Sequence, residues 1–206
     1  MRFVILCAAA LALLPMSAGA EEEPAHTVLL EDGRYEIRQY EPAIVAQVEV
    51  AGDLGDASNA GFRKLAGYIF GGNTAHTKIE MTAPVTREAS VKIDMTAPVT
   101  REPTETGTWT VNFFMPSTWT METLPVPDDP GVTLTEVPGE MLAIHRFSGF
   151  GREGTFENKE ERLRAWIAEQ GYAPTGPARY AGYDAPWTPP PFRRNEVMIP
   201  VTSAGE

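Results

Sequence analysis

The sequence predicts an α+β domain made of two similar β-α-β-β halves. Three observations carry that prediction. Short runs bounded by glycine or proline alternate apolar with polar residues, the period-2 pattern of half-buried strands. Two longer stretches space their apolar residues by three and four, which marks one face of a helix. The order along the 206 residues is strands, helix, strands and then strands, helix, strands, unlike the strict alternation that builds parallel βαβ units.

In chain order, Arg2, the apolar run Phe3 to Leu14 and Ala18-Gly19-Ala20 read as a secretory signal peptide over residues 1–20. That run is shorter than the ~20 apolar residues a spanning helix needs. Cys7 lies inside it, not just after the cleavage point, so no lipid anchor is expected. Export to the periplasm or medium follows, with no stable membrane insertion once the leader is removed. Residues 21–33 are acidic and aperiodic, a flexible lead-in, and a single domain is expected over 34–203.

Within it, Arg34 to Tyr40 and Ala43 to Val50 alternate as strands around Pro42. Asp56 or Ser58 is available to cap a helix whose apolar face is Phe62, Leu65, Ala66 and Ile69, stopped by Gly71-Gly72-Asn73. Residues 78–88 then recur as residues 92–102, with Glu80 replaced by Asp94 the only difference. Ile79, Met81 and Ala83 alternate with Glu80 and Thr82 like a half-buried strand. Pro84 and Pro98 would end the pairing or confine it to an edge for want of an N–H, so the repeat reads as two short strands or as one strand and a long returning loop. Thr108 to Met115, Val132 to Val137 and Met141 to Phe147 read as further strands. A charged helix follows, with Phe156, Leu163, Trp166 and Ile167 on one side and Gly171 as its stop; Arg179 to Tyr183 and Asn195 to Val201 close the domain.

Composition excludes several functions. A net charge of −11 argues against nucleic acid and against anionic membrane surfaces, both of which attract basic patches. The only cysteine, Cys7, leaves with the leader, so stability rests on a packed core. There is no G-x-S-x-G elbow, no H-E-x-x-H and no C-x-x-C-H. Gly149-x-Gly151-x-x-Gly154 matches a dinucleotide fingerprint, yet no βαβ unit with an acid downstream surrounds it, so a glycine-rich turn is the better account. His26, His76 and His145 are too scattered for a dedicated zinc site; each is either solvated, packed or an axial ligand of a bound iron. The many methionines and aromatics read as core or as the wall of a flat-ligand cleft. Arg63 and Lys64, beside the apolar face of the first helix, read as a solvated face or a pocket rim.

Taken together, these pieces resemble the SOUL heme-binding family from about Tyr35 to Val201. The matching segments are Tyr35-Glu36-Ile37-Arg38, Lys64 to Asn73 running into Lys78 to Val85, and Met115-Pro116-Ser117. Further on come Leu124-Pro125 with Pro127, Arg146-Phe147-Ser148-Gly149, and Pro186-Trp187-Thr188-Pro189 with Arg193-Arg194-Asn195-Glu196. The resemblance implies a distorted antiparallel β-barrel of two pseudo-symmetric halves, each with a long helix. It implies reversible, non-covalent binding of heme or another tetrapyrrole in an apolar cleft beside the first helix. Arg63 and Lys64 become candidates for the propionates, while His76 and His145 both stay open as iron ligands because the family shares no single one. The fold is also similar to effector-binding domains that grip flat apolar cations, so another flat hydrophobic molecule is an alternative ligand. Hydrolases on related folds use a pocket carboxylate; Glu36, Glu80 or Asp94 would serve only if buried with a raised pKa.

Overall fold

The computed structural model describes residues 21–75, 90–185 and 187–203. In chain order these form β1 (His26–Asp32), β2 (Tyr35–Tyr40), β3 (Ala43–Val50), α1 (Leu54–Ile69) and β4 (Asn73–Thr74). Then come β5 (Val99–Pro103), β6 (Trp109–Phe114), β7 (Val126–Pro127), β8 (Thr133–Val137) and β9 (Met141–Ser148). Last are α2 (Glu153–Glu169), β10 (Tyr172–Pro174), β11 (Arg179–Gly182), a single 3-10 turn over Pro190–Phe192, and β12 (Arg194–Ser203).

The main sheet runs β1-β2-β9-β12-β11-β5-β6-β3-β8, with β10 added beside β12 and every pairing antiparallel. Its inner strands show the two halves. In β3-α1-β5-β6 the spatial order is β5-β6-β3, and in β9-α2-β11-β12 it is β11-β12-β9. The two triplets meet back to back where β11 pairs with β5 through Tyr180↔Arg101, Ala181↔Thr100 and Gly182↔Val99. The strand before each half is exchanged: β2, which leads into β3, pairs with β9, and β8, which leads into β9, pairs with β3. The two crossing connections touch, since the Tyr40 amide donates to the Glu140 carbonyl at 2.9 Å. A Cβ on Gly139 would stand only 2.7 Å from the Tyr40 carbonyl oxygen, so that crossing needs glycine. The fold class is the predicted one, but β1 and β8 remain separate edges and the expected barrel is an open, curled sheet.

Alternation sorts the sheet's two faces. Ala46, Val48, Val111 and Phe113 turn toward α1 and join Leu65, Tyr68 and Ile69 in one core cluster. Ile37, Ala143, Phe147, Val197 and Ile199 turn toward α2 and pack with Phe156, Leu163 and Ile167 in the other. Both helices therefore cover one face, and among the described residues the opposite face carries none.

Four local expectations change. Residues 21–33, expected as a loose lead-in, hold β1, because Val28 to Asp32 finds hydrogen-bond partners along β2 across a bulge at Leu29. The cap of α1 is Asp53, whose side chain accepts from the Asp56 amide at 2.8 Å, one turn ahead of the expected caps. Pro98 precedes β5 instead of ending a strand; Ile93 is buried below α1, its amide donating to the Ile69 carbonyl at 2.9 Å. The first copy of the repeat falls outside the described residues. The G-x-G-x-x-G stretch is a turn from β9 into α2, followed by antiparallel β10, which excludes a dinucleotide-binding crossover there.

Gly61 sets how closely α1 approaches the sheet, because a Cβ there would lie 2.5 Å from a methyl of Val111. Gly67 lies on the exposed side of the same helix with open space around it. Two identical substitutions should thus have opposite signs. Gly61→Ala is expected to destabilise by about 1–3 kcal/mol through overpacking, and Gly67→Ala to stabilise by up to about 1 kcal/mol through helix propensity. Urea denaturation of both variants checks this.

Candidate functional site

Two concavities flank the sheet, one beside α1 and one on the helix-free face. The first, of about 530 Å³, is a shallow bay lined by Ala51, Asp56, Asn59, Ala60, Phe62 and Arg63. The helical spacing that buries Leu65 and Ile69 leaves Arg63 and Lys64 exposed on the outer side of α1. Lys64 extends over the turn at Gly131. At the far end of α1, Asn73 clamps the returning chain: its side chain donates to the Tyr68 and Val91 carbonyls at 2.7 and 2.8 Å and accepts from the Val91 amide at 2.9 Å. His76 lies outside the described residues.

On the helix-free face, a cleft of about 450 Å³ opens onto a second lobe of about 710 Å³. Phe114 and Val137 line both lobes, and Leu142 and Met198 line the smaller. Among the described residues Arg179 is the only basic side chain in the two linings, against the carboxylates of Glu22, Glu23, Glu41, Glu102, Glu136 and Glu140. Even that arginine is neutralised, pairing with Glu102 at 2.8 Å and with Glu140. An extended segment crosses this face: the Glu22 carbonyl accepts from Ala97 at 3.0 Å and its carboxylate from the Ser117 amide at 2.8 Å, while Glu23 pairs with Arg194 at 2.7 Å.

Deeper on the same face lies a buried ion cluster. Arg38 donates from Nε to Glu36 at 2.7 Å and from Nη1 and Nη2 to the two carboxylate oxygens of Glu196 at 3.0 and 3.2 Å. Tyr183 donates to Glu196 at 2.6 Å, and Arg146 pairs with Glu36 at 3.1 Å. Burial raises the Glu36 pKa, but the hydrogen bond and charge of Arg38, joined by Arg146, outweigh it and hold the carboxyl below its ordinary value. A raised pKa was the condition for a catalytic role, so Glu36 is no acid–base candidate; Asp94 is exposed, and Glu80 lies outside the described residues. Among the described residues no three His, Cys, Asp or Glu side chains come together as a metal site.

His145 is buried, 3% exposed, between β9 and α2. Its ring lies 4.4 Å from that of Tyr35 and 6.4 Å from that of Phe147. Nδ1 lies 3.2 Å from the Lys159 carbonyl, which can only accept, so the proton belongs on Nδ1. Arg63 and Lys64 sit on the half covered by α1 and His145 on the half covered by α2, so the fold does not bring them into one site. Sequence reasoning missed the helix-free cleft and its Arg179 pairs. Glu102 and Glu140 stand 77 and 39 positions from Arg179, and no local spacing reports such a meeting.

The family model for the SOUL heme-binding protein matches residues 21–200. The chain belongs to the SOUL family. It is 30% identical over 171 residues to heme-binding protein 2 of Mus musculus, covering 82% of this chain and 78% of that protein. The Homo sapiens protein of the same name is 30% identical over 158 residues, 76% of this chain and 73% of that one. Among solved structures, the EcmrR C-terminal domain superposes with a TM-score of 0.58 at 12% identity, over 82% of this chain and 97% of that one. A hydrolase from Listeria innocua does so with a TM-score of 0.57 at 10% identity, over 84% and 94%. At such identities the likeness is one of fold.

Two predictions follow from the buried charges. Arg38→Met removes the one fully buried cation and leaves Glu36 and Glu196 only the part-exposed Arg146 and Arg194. It should cost about 3–5 kcal/mol in urea denaturation; adding Glu36→Gln and Glu196→Gln should recover much of it. For His145, burial lowers the pKa first, the Lys159 carbonyl opposes it, and the charges of Lys159, Arg162 and Arg34 lower it further. The unfolded imidazole titrates near 6.5, so below that pH the unfolded chain binds the extra proton. Stability is complete above about 6.5 and declines as pH falls toward the lower folded value. The thermal midpoint should fall across that window in the wild type and much less in His145→Gln.

Proposed function

We propose that this protein reversibly and non-covalently binds heme or another tetrapyrrole at the bay beside α1, and that it does so as an exported binder without catalysis. The observation that carries the site is the charge contrast between the two concavities. A tetrapyrrole with propionates is apolar in its plane and doubly anionic at its rim. The bay offers Phe62 with Arg63 beside a single carboxylate, Asp56, and Lys64 next along the helix, whereas the helix-free cleft sets six carboxylates against one arginine and repels such a rim. Membership in a heme-binding family supports the ligand class.

The energetics are compatible with a shallow site. Burying on the order of 400 Å² of apolar surface contributes about 10 kcal/mol at roughly 25 cal/mol per Å². Association costs of roughly 4–15 kcal/mol oppose it. Stacking alone gives weak to micromolar binding, and an iron ligand or propionate pair decides whether it is tighter. Of the two histidine candidates, His145 serves packing, since ligation would require lifting α2 from β9, which leaves His76 as the candidate that the sequence alone supplies.

A second reading rests on the helix-free cleft. Its apolar floor of Phe114, Leu142 and Met198 under acidic walls suits a flat hydrophobic molecule that is neutral or cationic.

Titration with hemin, followed at the Soret band, tests the proposal. A saturable shift is expected, lost in His76→Ala and kept in His145→Ala. Arg63→Gln with Lys64→Gln should weaken binding about 3- to 30-fold, as expected for two exposed ion pairs of about 0.3–1 kcal/mol each. The absence of a saturable shift at micromolar protein would remove the heme reading. Equal binding of metal-free porphyrin would mean stacking without iron ligation.

A further inference from the structure

Trp187, Phe192 and the neighbouring arginines of the closing loop have no part in the site proposed above, yet they build the most exposed aromatic group among the described residues. The turn after β9 meets the loop before β12 at Phe150. The Arg152 guanidinium stands 4.9 Å from the centre of that ring and the Arg193 guanidinium 5.8 Å. Arg193 also donates from Nε to the Thr188 carbonyl at 2.7 Å, which ties turn to loop. Around them Trp187 is 84% exposed, Phe192 77% and Phe150 51%. No other large hydrophobic among the described residues is as exposed as Trp187 and Phe192.

Such exposure is costly and is held in place by the backbone. Pro189, Pro190 and Pro191 fix their φ angles, and the Phe192 amide closes the 3-10 turn onto the Pro189 carbonyl at 2.9 Å. The rings stand out on a stiff support, so burying them costs little further backbone entropy. The one acid of this loop that the structure engages is Asp184, whose carboxylate accepts from the Arg194 amide.

We propose that this tip is a contact for a phospholipid surface containing anionic headgroups. Trp187 and Phe192 enter the boundary between headgroups and acyl chains, and the exposed Arg152 meets a lipid phosphate. Aromatic rings and guanidinium groups are the side chains that this boundary favours. The protruding shape favours a bilayer over a protein partner. A protein hot spot requires a preformed pocket to enclose each ring, whereas headgroups part around it. The net charge of −11 repels an anionic surface, but screening confines that repulsion to roughly 8 Å at physiological ionic strength. Within that range the chain is turned so that its arginine-bearing tip faces the lipid.

Co-sedimentation tests this, using the purified protein without hemin and vesicles of phosphatidylcholine alone or mixed with phosphatidylglycerol. The protein should pellet with the mixed vesicles, more weakly with phosphatidylcholine, and its tryptophan emission should shift to the blue. Trp187→Ala with Phe192→Ala should reduce binding at least about tenfold, and Arg152→Gln about fivefold on mixed vesicles only. Both variants alter exposed side chains, so an unchanged thermal midpoint shows that they fold. Protein remaining in the supernatant with both vesicle types, or a double variant that pellets like the wild type, would overturn the proposal. Because hemin is absent throughout, the outcome is independent of the tetrapyrrole reading.

Discussion

The architecture hangs on the seam where β5 meets β11, and on one side chain that stands there. Three residue pairs join the two halves across this seam. Arg101 reaches out from it to three neighbours: its Nε donates to the Tyr180 carbonyl at 3.1 Å, its Nη1 to the Ser58 hydroxyl on α1 at 3.2 Å, and its guanidinium lies 5.4 Å from the Phe156 ring on α2. A planar fork with a flat face can do all three, where a lysine ammonium could not. Burial pulls its pKa down to about 10, so the charge persists at neutral pH. One residue thereby touches both helices and the seam between the halves. The exchange of β2 and β8 between the halves then prevents either triplet from separating alone.

With both helices confined to one face, the other face is free to take a different chemistry, and it has done so. The helix side is packed with aliphatic and aromatic residues, and its outer surface at α1 carries Arg63 and Lys64. The helix-free side holds a buried network of Glu36, Arg38 and Glu196 and, nearer solvent, a cleft rimmed by carboxylates. A net charge of −11 is therefore a poor guide to any one site. Carboxylates line the cleft where a propionate-bearing ligand is least welcome, and exposed basic side chains stand on α1 and at the Phe150 tip.

How much of this was legible in the sequence depended on range. Both helices and the longer strands were, because alternation and helical spacing are local. β1 was not: Val28 and Leu29 are exposed on an edge strand, so neither period appears, and its partner β2 only becomes evident in three dimensions. The strand after Pro98 was read backwards, since a proline marks a strand's start as readily as its end. Barrel closure could not be read at all. For the site, Arg63 and Lys64 emerged from the outer face of α1, but alternation around His145 gave two possible faces and no means to choose. The Arg38–Glu196 pair, 158 positions apart, left no local trace.

The division of labour between faces also explains why so little sequence is shared with structures of the same shape. The chain overlays the EcmrR C-terminal domain over 82% of its length with only 12% identity. In an antiparallel sheet each strand contributes alternate residues to each face, so the helix-side set can be conserved as apolar volume while the other set drifts in charge and polarity. What the topology demands is narrow: a small residue where α1 meets Val111, glycine where the exchanged strands cross, and a group at the seam that both helices can rest on. Beyond those points, ligand chemistry is set by side chains the fold does not need. A shared outline therefore predicts where concavities lie, and only the charges lining each one decide which molecule enters.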